Sequence, residues 1–487
     1  MRHGLVVTVL ACGLLSSCMQ GPDYVRPEVE TPQNFRYEIA DAQNTADTEW
    51  WKQFQDPVLE ELITTALANN KSVQIAAANV EQAAGVLGQT RSALYPQVGY
   101  GFDAARQRGS EKLDGAPISG IPNPNTSYQA FANASWEIDL WGRIRRQTEA
   151  AQANLMATEE VRRGVVLSLV SLVANSYLQL RGLDEQLVIA NRTLATYDES
   201  VKLFKLQFKY GVISQTTVEQ ALSQYETAAA AIPPIELAIS QTENALSILL
   251  GRNPGPITRG KSLTELIAPA VPSGLPSTIL TQRPDILQAE QELIAANAQI
   301  GAAKALYFPT ISLTGLLGGA SSALSSLFSG PARIWSFAGS VTGPIFTGGS
   351  ISSQVSQAEA VHQASLVRYQ AVIQNAFRDV DDALAARVNL GNQLAAQERL
   401  VKALSEYTRL ARLQYNEGYV PYSTVLQAEQ DLFPAELNSA QIRATQLASS
   451  VGIYRAMGGG WVTEASRMAD QPPAQPEPAA ESASPQN

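Results

Sequence analysis

The sequence predicts a membrane α+β protein in which each chain lends four β-strands to a barrel shared among copies and continues them as long coiled-coil helices. Three observations predict it. The chain opens like an exported protein, it writes one helix-to-strand junction twice, and it contains two very long runs of helical pattern without proline.

The first residues, MRHGLVVTVLACGLLSSC, combine a basic start at Arg2, an apolar run from Leu5 to Leu15 and small residues before Cys18. This is a secretory signal over residues 1–17, too short to span a bilayer. Leu15-Ser16-Ser17-Cys18 also has the form of a lipobox, which makes Cys18 the expected site of a covalent lipid; an ordinary signal with an incidental cysteine is the alternative reading. The chain has 2 cysteines. Cys12 leaves with the signal, so Cys18 has no partner for an internal disulfide. Beyond the signal there is no uninterrupted apolar segment of the ~18 residues that a spanning helix needs. Any crossing of a membrane therefore falls to strands closed into a barrel, which alone satisfy their backbone in lipid.

Residues 18–56 form an irregular, anchored N-terminal segment. Asp56-Pro57 then supplies a cap and a first-turn proline for a helix over 57–94. The run stops at ALYPQVGYGF (93–102), where Pro96 starts a strand over 96–105: Val98, Tyr100 and Phe102 share one parity. The strand over 128–141 reads YQAFANASWEIDL from Tyr128 and puts Tyr128, Trp136 and Ile138 on one parity, with Gln129, Phe131, Asn133, Ser135, Glu137 and Asp139 on the other. Between the two strands a Gly/Pro/Asn-rich loop runs from Gly109 to Pro124.

A proline-free helix is expected over 143–210. Val173, Leu180, Leu187, Leu194, Val201 and Phe208 recur every seven residues, with Leu183, Ala190, Tyr197 and Phe204 completing an a/d seam. At ~1.5 Å per residue such a helix makes a rod on the order of 100 Å. A helix over 214–250 follows the turn at Gly211; Thr216-Thr-Val-Glu219 offers a capping box, and Pro233-Pro234 should kink or break it.

Residues 252–282 read as an irregular linker, and from 283 the unit repeats. A shift of 213 superposes Pro96 on Pro309 and Gly88 on Gly301, and a shift of 207 superposes Gly211 on Gly418. The second unit, 283–458, thus holds a helix near 284–307, strands over 309–318 and 334–346, a long helix over 350–417 with a looser seam through Leu390, Leu394, Val401, Leu404 and Ala411, and a helix over 422–457 that Pro434 should disturb. Residues 459–487 form a tail whose Pro/Ala/Glu/Ser composition from Gln471 reads as disordered. Four strands cannot close around a channel, so copies must share one barrel.

The formal charge of −10 lacks a dense basic cluster, which argues against nucleic acid. Enzymatic readings find little material. His362 is the one histidine outside the signal, no Walker-type phosphate loop or Cys-x-x-Cys occurs, and Gly458-Gly459-Gly460 has no expected helix behind it. No catalytic residue, metal site or cofactor is expected.

WWKQFQDPVLEELI (50–63), ALYP with ALYFP, EIDLWGRIRR (137–146), the paired YG and EGY turns, ILLGRNPG (248–255) and MGGGW (457–461), in this order, resemble the outer-membrane factor (TolC-like) family, in particular its lipoproteins that partner resistance-nodulation-division efflux pumps. The resemblance implies a homotrimer with a 12-stranded outer-membrane β-barrel and a periplasmic helical tunnel, with residues 252–282 at an equatorial region. It also implies a periplasmic adaptor, an inner-membrane transporter and outer-membrane lipids as partners, and passive conduction of drugs or other small toxic compounds in a Gram-negative bacterium. Pro96 and Pro309 would mark where helices enter the membrane as strands, and Gly142, Gly348 and Gly349 the return, although sharp turns alone also ask for glycine. Gly211, Val212 and Ile213 with Gly418, Tyr419 and Val420 would be the tips that receive the adaptor.

Family members often close the periplasmic gate with a leucine, an acid and a base. The matching positions here are Ser423, Gln427 and Gln430, with Gln220 in the first repeat and Glu429 and Asp431 nearby; a neutral gate is expected. The outer channel of a type I protein exporter, or a structural lipoprotein bridging envelope layers, are the alternative functions.

Overall fold

The computed structural model describes residues 19–32, 34–37, 48–110, 112, 123–271, 276–458, 461, 462 and 465. The signal, Cys18, most of the Gly109–Pro124 loop and the tail beyond residue 465 lie outside the described residues.

In chain order the elements are a 3-10 turn at Trp50–Phe54, α1 (Pro57–Asn69), α2 (Lys71–Ser92), β1 (Gln97–Gln107), β2 (Asn125–Ile138), α3 (Arg143–Lys209), α4 (Gln215–Leu249), α5 (Pro276–Gln282), α6 (Pro284–Lys304), β3 (Thr310–Ser321), β4 (Arg333–Thr342), α7 (Ser350–Asn416) and α8 (Tyr422–Met457). The strands form one antiparallel sheet in the order β1-β2-β3-β4.

Asp56 caps α1 as expected, its carboxylate accepting from the Val58 N–H at 3.0 Å. The single helix expected over 57–94 is instead two. Asn70 is extended, and its Oδ1 accepts from the Ser72 and Val73 N–H groups at 2.9 and 3.3 Å, capping α2. The capping box at Thr216–Glu219 is not used; α4 begins at Gln215 after Ser214, and Thr216 lies inside it.

Pro233, Pro234 and Pro434 interrupt neither α4 nor α8. All three are exposed, as are Ala230 and Gln430, whose carbonyls Pro234 and Pro434 leave without a helical donor, while buried neighbours such as Ala228, Ile235, Phe433 and Ala435 keep the turns packed. Residues 252–271 are not a loose linker. Ile257, Leu263 and Leu266 are buried, Arg259 bonds Asp184 and Glu243, and α5 occupies the end of the segment.

The expected repeats are not the compact units. Unit 1 comprises residues 1–28, 79–158 and 288–370, and unit 2 residues 29–78, 159–287 and 371–487. Each draws on both repeats, because elements of one repeat pack on elements of the other: β2 pairs with β3, and the main core contains Val173 and Leu180 alongside Leu447 and Val451. Unit 1 holds the sheet with its adjoining helix ends, including a small-residue contact among Ala150, Ala153, Ala295 and Ala298.

Unit 2 is organised around Trp50, Trp51, Phe54, Tyr454 and Trp461, each at most 1% exposed. Ring centroids of Trp50 lie 5.7, 5.5 and 6.0 Å from Trp51, Tyr454 and Trp461. Trp461, Val462 and Ala465 are helical where no helix is expected behind the glycines, and they are buried in this core rather than lining a site. The first seam is covered at Val173, Leu180, Leu183, Ala190, Tyr197, Val201 and Phe204, whereas Phe208 at its end is 45% exposed. One stretch of α3 is apolar and long enough to pass for a membrane span, yet 56% of it is buried inside the protein. Val166, Val170, Val173 and Ala174 make that part of α3 core.

Candidate functional site

The junctions of unit 1 lie where the prolines and glycines place them. Pro96 falls between α2 and β1; Pro309 falls between a 3-10 turn at Ala305–Tyr307 and β3. Gly142, Gly348 and Gly349 have φ of +79°, +58° and +86°, the left-handed region that glycine enters without strain, immediately before α3 and α7.

Two indoles brace the junctions, a role not legible in the alternation. Trp136 Nε1 donates to the Leu94 carbonyl at 2.9 Å, and Trp141 Nε1 to the Pro309 carbonyl at 2.8 Å. On the return, Arg143 bonds Glu137 bidentately at 2.7 and 2.8 Å, and the Asp139 carboxylate accepts from the Arg145 N–H at 2.8 Å, serving an otherwise unpaired donor of the first turn of α3.

β2 ends at Ile138, opposite Ile311, rather than at 141, and β4 ends at Thr342 rather than 346. Pro309 has no N–H to continue the ladder, and Gly343 lies against its ring. The other strand bounds shift by one to three residues.

The register aligns every apolar parity. Val98 pairs with Ala134 and Tyr100 with Ala132; Trp136 pairs with Leu313; Leu317 pairs with Trp335, Gly315 with Phe337 and Ile311 with Val341. One face therefore carries Val98, Tyr100, Phe102, Trp335, Phe337 and Val341, at 57–93% exposure in the single chain. A water-facing sheet has no use for such a patch. The opposite face is mostly polar or small, with Gln97, Asn133, Ser135, Glu137, Thr314 and the bonded pair Ser312–Ser340 at 2.7 Å, and also carries Phe131, Leu316 and Ile334. Among the described residues, β1 and β4 each keep one edge unpaired.

In unit 2 the helix tips have matching geometry. Gly211 and Gly418 have φ of +72° and +78°. Their N–H groups bond the Phe208 and Tyr415 carbonyls, while those of Val212 and Tyr419 reach back to Gln207 and Gln414 at 2.9 and 2.8 Å. Both are Schellman caps. Val212 and Tyr419 are 69% and 81% exposed; Ile213 and Val420 are half-buried beside them. Beneath the tips Phe204, Tyr415 and Tyr422 meet at 4.6 to 6.2 Å between ring centroids.

Ser423, Gln427, Gln430 and Asp431 are exposed along α8, and Gln220 is half-buried on α4. Gln427 Nε2 donates to both Asp431 oxygens at 3.0 and 3.2 Å, because a spacing of four brings them together on the helix. Glu429 points the other way and is 4% exposed. Its Oε1 accepts from Arg412 Nε and Nη2 at 2.9 and 2.6 Å, and its Oε2 has no partner. Burial holds its carboxyl above the usual carboxylate range even though Arg412 pulls the other way. A cavity of about 630 Å³, lined by Arg192, Tyr197, Thr408, Arg412, Glu429 and Glu436 among others, opens beside the pair. Among the described residues, no three His, Cys, Asp or Glu side chains converge to hold a metal ion.

Comparison with known proteins adds the following. The family described as "Outer membrane efflux protein" matches residues 62–252 and 275–459. The toluene efflux pump outer membrane protein TtgF of Pseudomonas putida is 38% identical over 459 residues, covering 92% of this chain and 95% of that protein. The probable outer membrane lipoprotein SilC of Salmonella typhimurium is 36% identical, over 92% and 97%. The crystal structure of the open state of the Neisseria gonorrhoeae MtrE outer membrane channel superposes with a TM-score of 0.82 at 33% identity, covering 91% of this chain and 99% of that one.

Proposed function

The chain belongs to the outer membrane efflux protein family, the outer-membrane exit ducts of efflux pumps, and we propose that three copies assemble into one passive duct for small toxic compounds. The carrying observation is the sheet: one face apolar and exposed, the other mostly polar or small, and two open edges. In lipid, unpaired edges are not tolerated. Three such sheets joined β4 to β1 close a 12-stranded barrel with the aromatic face toward lipid and the serine and asparagine face toward the lumen.

A periplasmic adaptor and an inner-membrane resistance-nodulation-division transporter supply the cargo. Val212 and Tyr419 at the glycine tips are exposed apolar surface suited to the adaptor. The glutamines of α4 and α8, with Asp431, form the periplasmic gate. Catalysis has no place in the mechanism: the duct supplies a path, and its partners supply the energy. Relatives named for toluene and for cation efflux support small toxic compounds as cargo. A diacyl lipid on Cys18 anchors each chain, supported by the lipobox and the relative named a lipoprotein.

Native mass spectrometry of the full protein in detergent tests the assembly and should show three chains. A stable monomer retaining its full β content overturns the shared barrel.

A further inference from the structure

Residues Met19–Arg26 follow Cys18 directly and are bonded along their length in unit 1. Met19 lies against Gly142, where a side chain's Cβ would stand 2.5 Å from Met19 Cγ. The Gln20 N–H bonds the Trp141 carbonyl at 3.1 Å. Gly21, with φ of +91°, meets Gly301 so closely that a Cβ on Gly21 would lie 2.4 Å from the Gly301 Cα.

Arg146 on α3 holds the next stretch. It is 2% exposed. Its Nε donates to the Gln20 carbonyl at 3.1 Å, its Nη2 to the Gly21 carbonyl at 3.3 Å and to Asp23 at 2.8 Å, and its Nη1 to Glu149 at 2.8 Å. On α6, Asn297 Nδ2 donates to the Pro22 carbonyl at 2.9 Å, and Glu290 accepts from Tyr24 and Arg26 at 3.3 and 2.9 Å.

A linker that only joined a lipid to a protein would need none of this. A buried guanidinium and two glycine contacts fix the strap's path to the turn between β2 and α3, beside the junction where Trp141 also grips Pro309. Covalent geometry puts the Cα of Cys18 ~3.8 Å from that of Met19. We propose that Met19–Arg26 is a strap that sets where the lipid on Cys18 enters the membrane, at the foot of the strands, and that Arg146 is the positioning residue that holds it. A free tail would let the acyl chains sample any point within its reach. The clamped one gives the anchor and the barrel a common height in the leaflet.

The inference rests on the proposed acylation of Cys18, and the two fail separately. Acylation is read from the mass of the mature N-terminus; the strap is read from a nitroxide on Val25→Cys, an 81% exposed strap position. The label is observed in full-length trimers in nanodiscs carrying nickel-chelating head groups. With Arg146 intact the spectrum should be immobilised, with one nickel-induced relaxation enhancement, and it should stay immobilised when Cys18→Ala removes the lipid. Arg146→Ala should give a mobile spectrum and a broadened range of nickel contact with the lipid still attached, and Arg146→Lys should not restore the original. Arg146 makes three charge-assisted bonds to the strap, and the loss of even one implies about a tenfold rise in the released fraction, so Arg146→Ala should raise it by at least that factor. If Arg146→Ala does not assemble, Asp23→Ala with Asn297→Ala releases the same strap without opening the α3 core. An immobile label in the released variants, or a mobile label in the parent, overturns the proposal.

Discussion

Replacing Arg412 by alanine should loosen the end of α8 in a way that depends on pH. The Glu429 carboxylate stays where it is, 4% exposed, but loses both of its bonds to Arg412. Exposed ion pairs contribute at most about 1 kcal/mol, and breaking a fully buried pair costs about 3–5 kcal/mol. Here the acid is buried, while the arginine side chain is 42% exposed and borders a cavity. The loss should therefore fall between those limits, at about 2–3 kcal/mol, or a 30- to 150-fold increase in local opening. Burial raises the folded pKa of Glu429 above its ordinary 4.5. Between the ordinary and raised values the folded segment holds a proton that the open one has released, so stability rises as pH falls through that window. Removing Arg412 deletes the opposing influence and widens the window toward neutrality, so the variant's deficit should shrink from pH 7.5 to pH 5. Hydrogen exchange of residues 425–433, corrected for intrinsic rate, measures this. Adding Glu429→Gln to Arg412→Ala should recover most of the loss and abolish its pH dependence. An equal deficit at both pH values, or a double variant as loose as the single one, refutes the reasoning.

Mass spectrometry of the mature N-terminus should show acylated Cys18, and an unmodified terminus elsewhere would sink the anchor. Cys18→Ala should remain in the outer membrane, because a closed barrel satisfies its own backbone in lipid and holds the chain there without the anchor. At the gate, Gln427→Ala with Gln430→Ala, and Gln220→Ala, should each raise the resting conductance in planar bilayers, since these amides close the pore by packing and by hydrogen bonds, such as that of Gln427 to Asp431, worth about 0.5–3 kcal/mol apiece. Asp431→Asn separates the acid's part: if it opens the duct while the glutamine variants do not, the carboxylate holds the gate.

What the sequence determined by itself is local. Pro96 and Pro309 end helices because a proline ring forbids the preceding residue a helical backbone, and alternation after each has no other reading than strand. Gly211 and Gly418 are visible as caps because only glycine enters the left-handed region freely. The seven-residue seam of α3 was legible through Val173, Leu180 and Ala190 because a coiled coil repeats its own chemistry. At the end of that seam Phe208 is 45% exposed in the single chain, and α4 and α8 run on through Pro233, Pro234 and Pro434 without a break, because packing on neighbours, absent from any local window, bears on both.

Only the tertiary structure decided the rest. Register brought the apolar parities of four strands onto one face, although β2 and β3 lie in different repeats. The compact units cut across both repeats because α3 and α4 of the first share one apolar core with α8 of the second. Arg412 and Glu429 sit 17 positions apart, and Arg146 and Asp23 123 apart. A guanidinium or a carboxylate takes whichever partner the packed backbone delivers within hydrogen-bond reach, and residue type alone carries no record of that choice. Thus Arg143, Arg145 and Arg146 read as one basic run in sequence, yet in the fold they serve Glu137, Asp139 and the N-terminal strap.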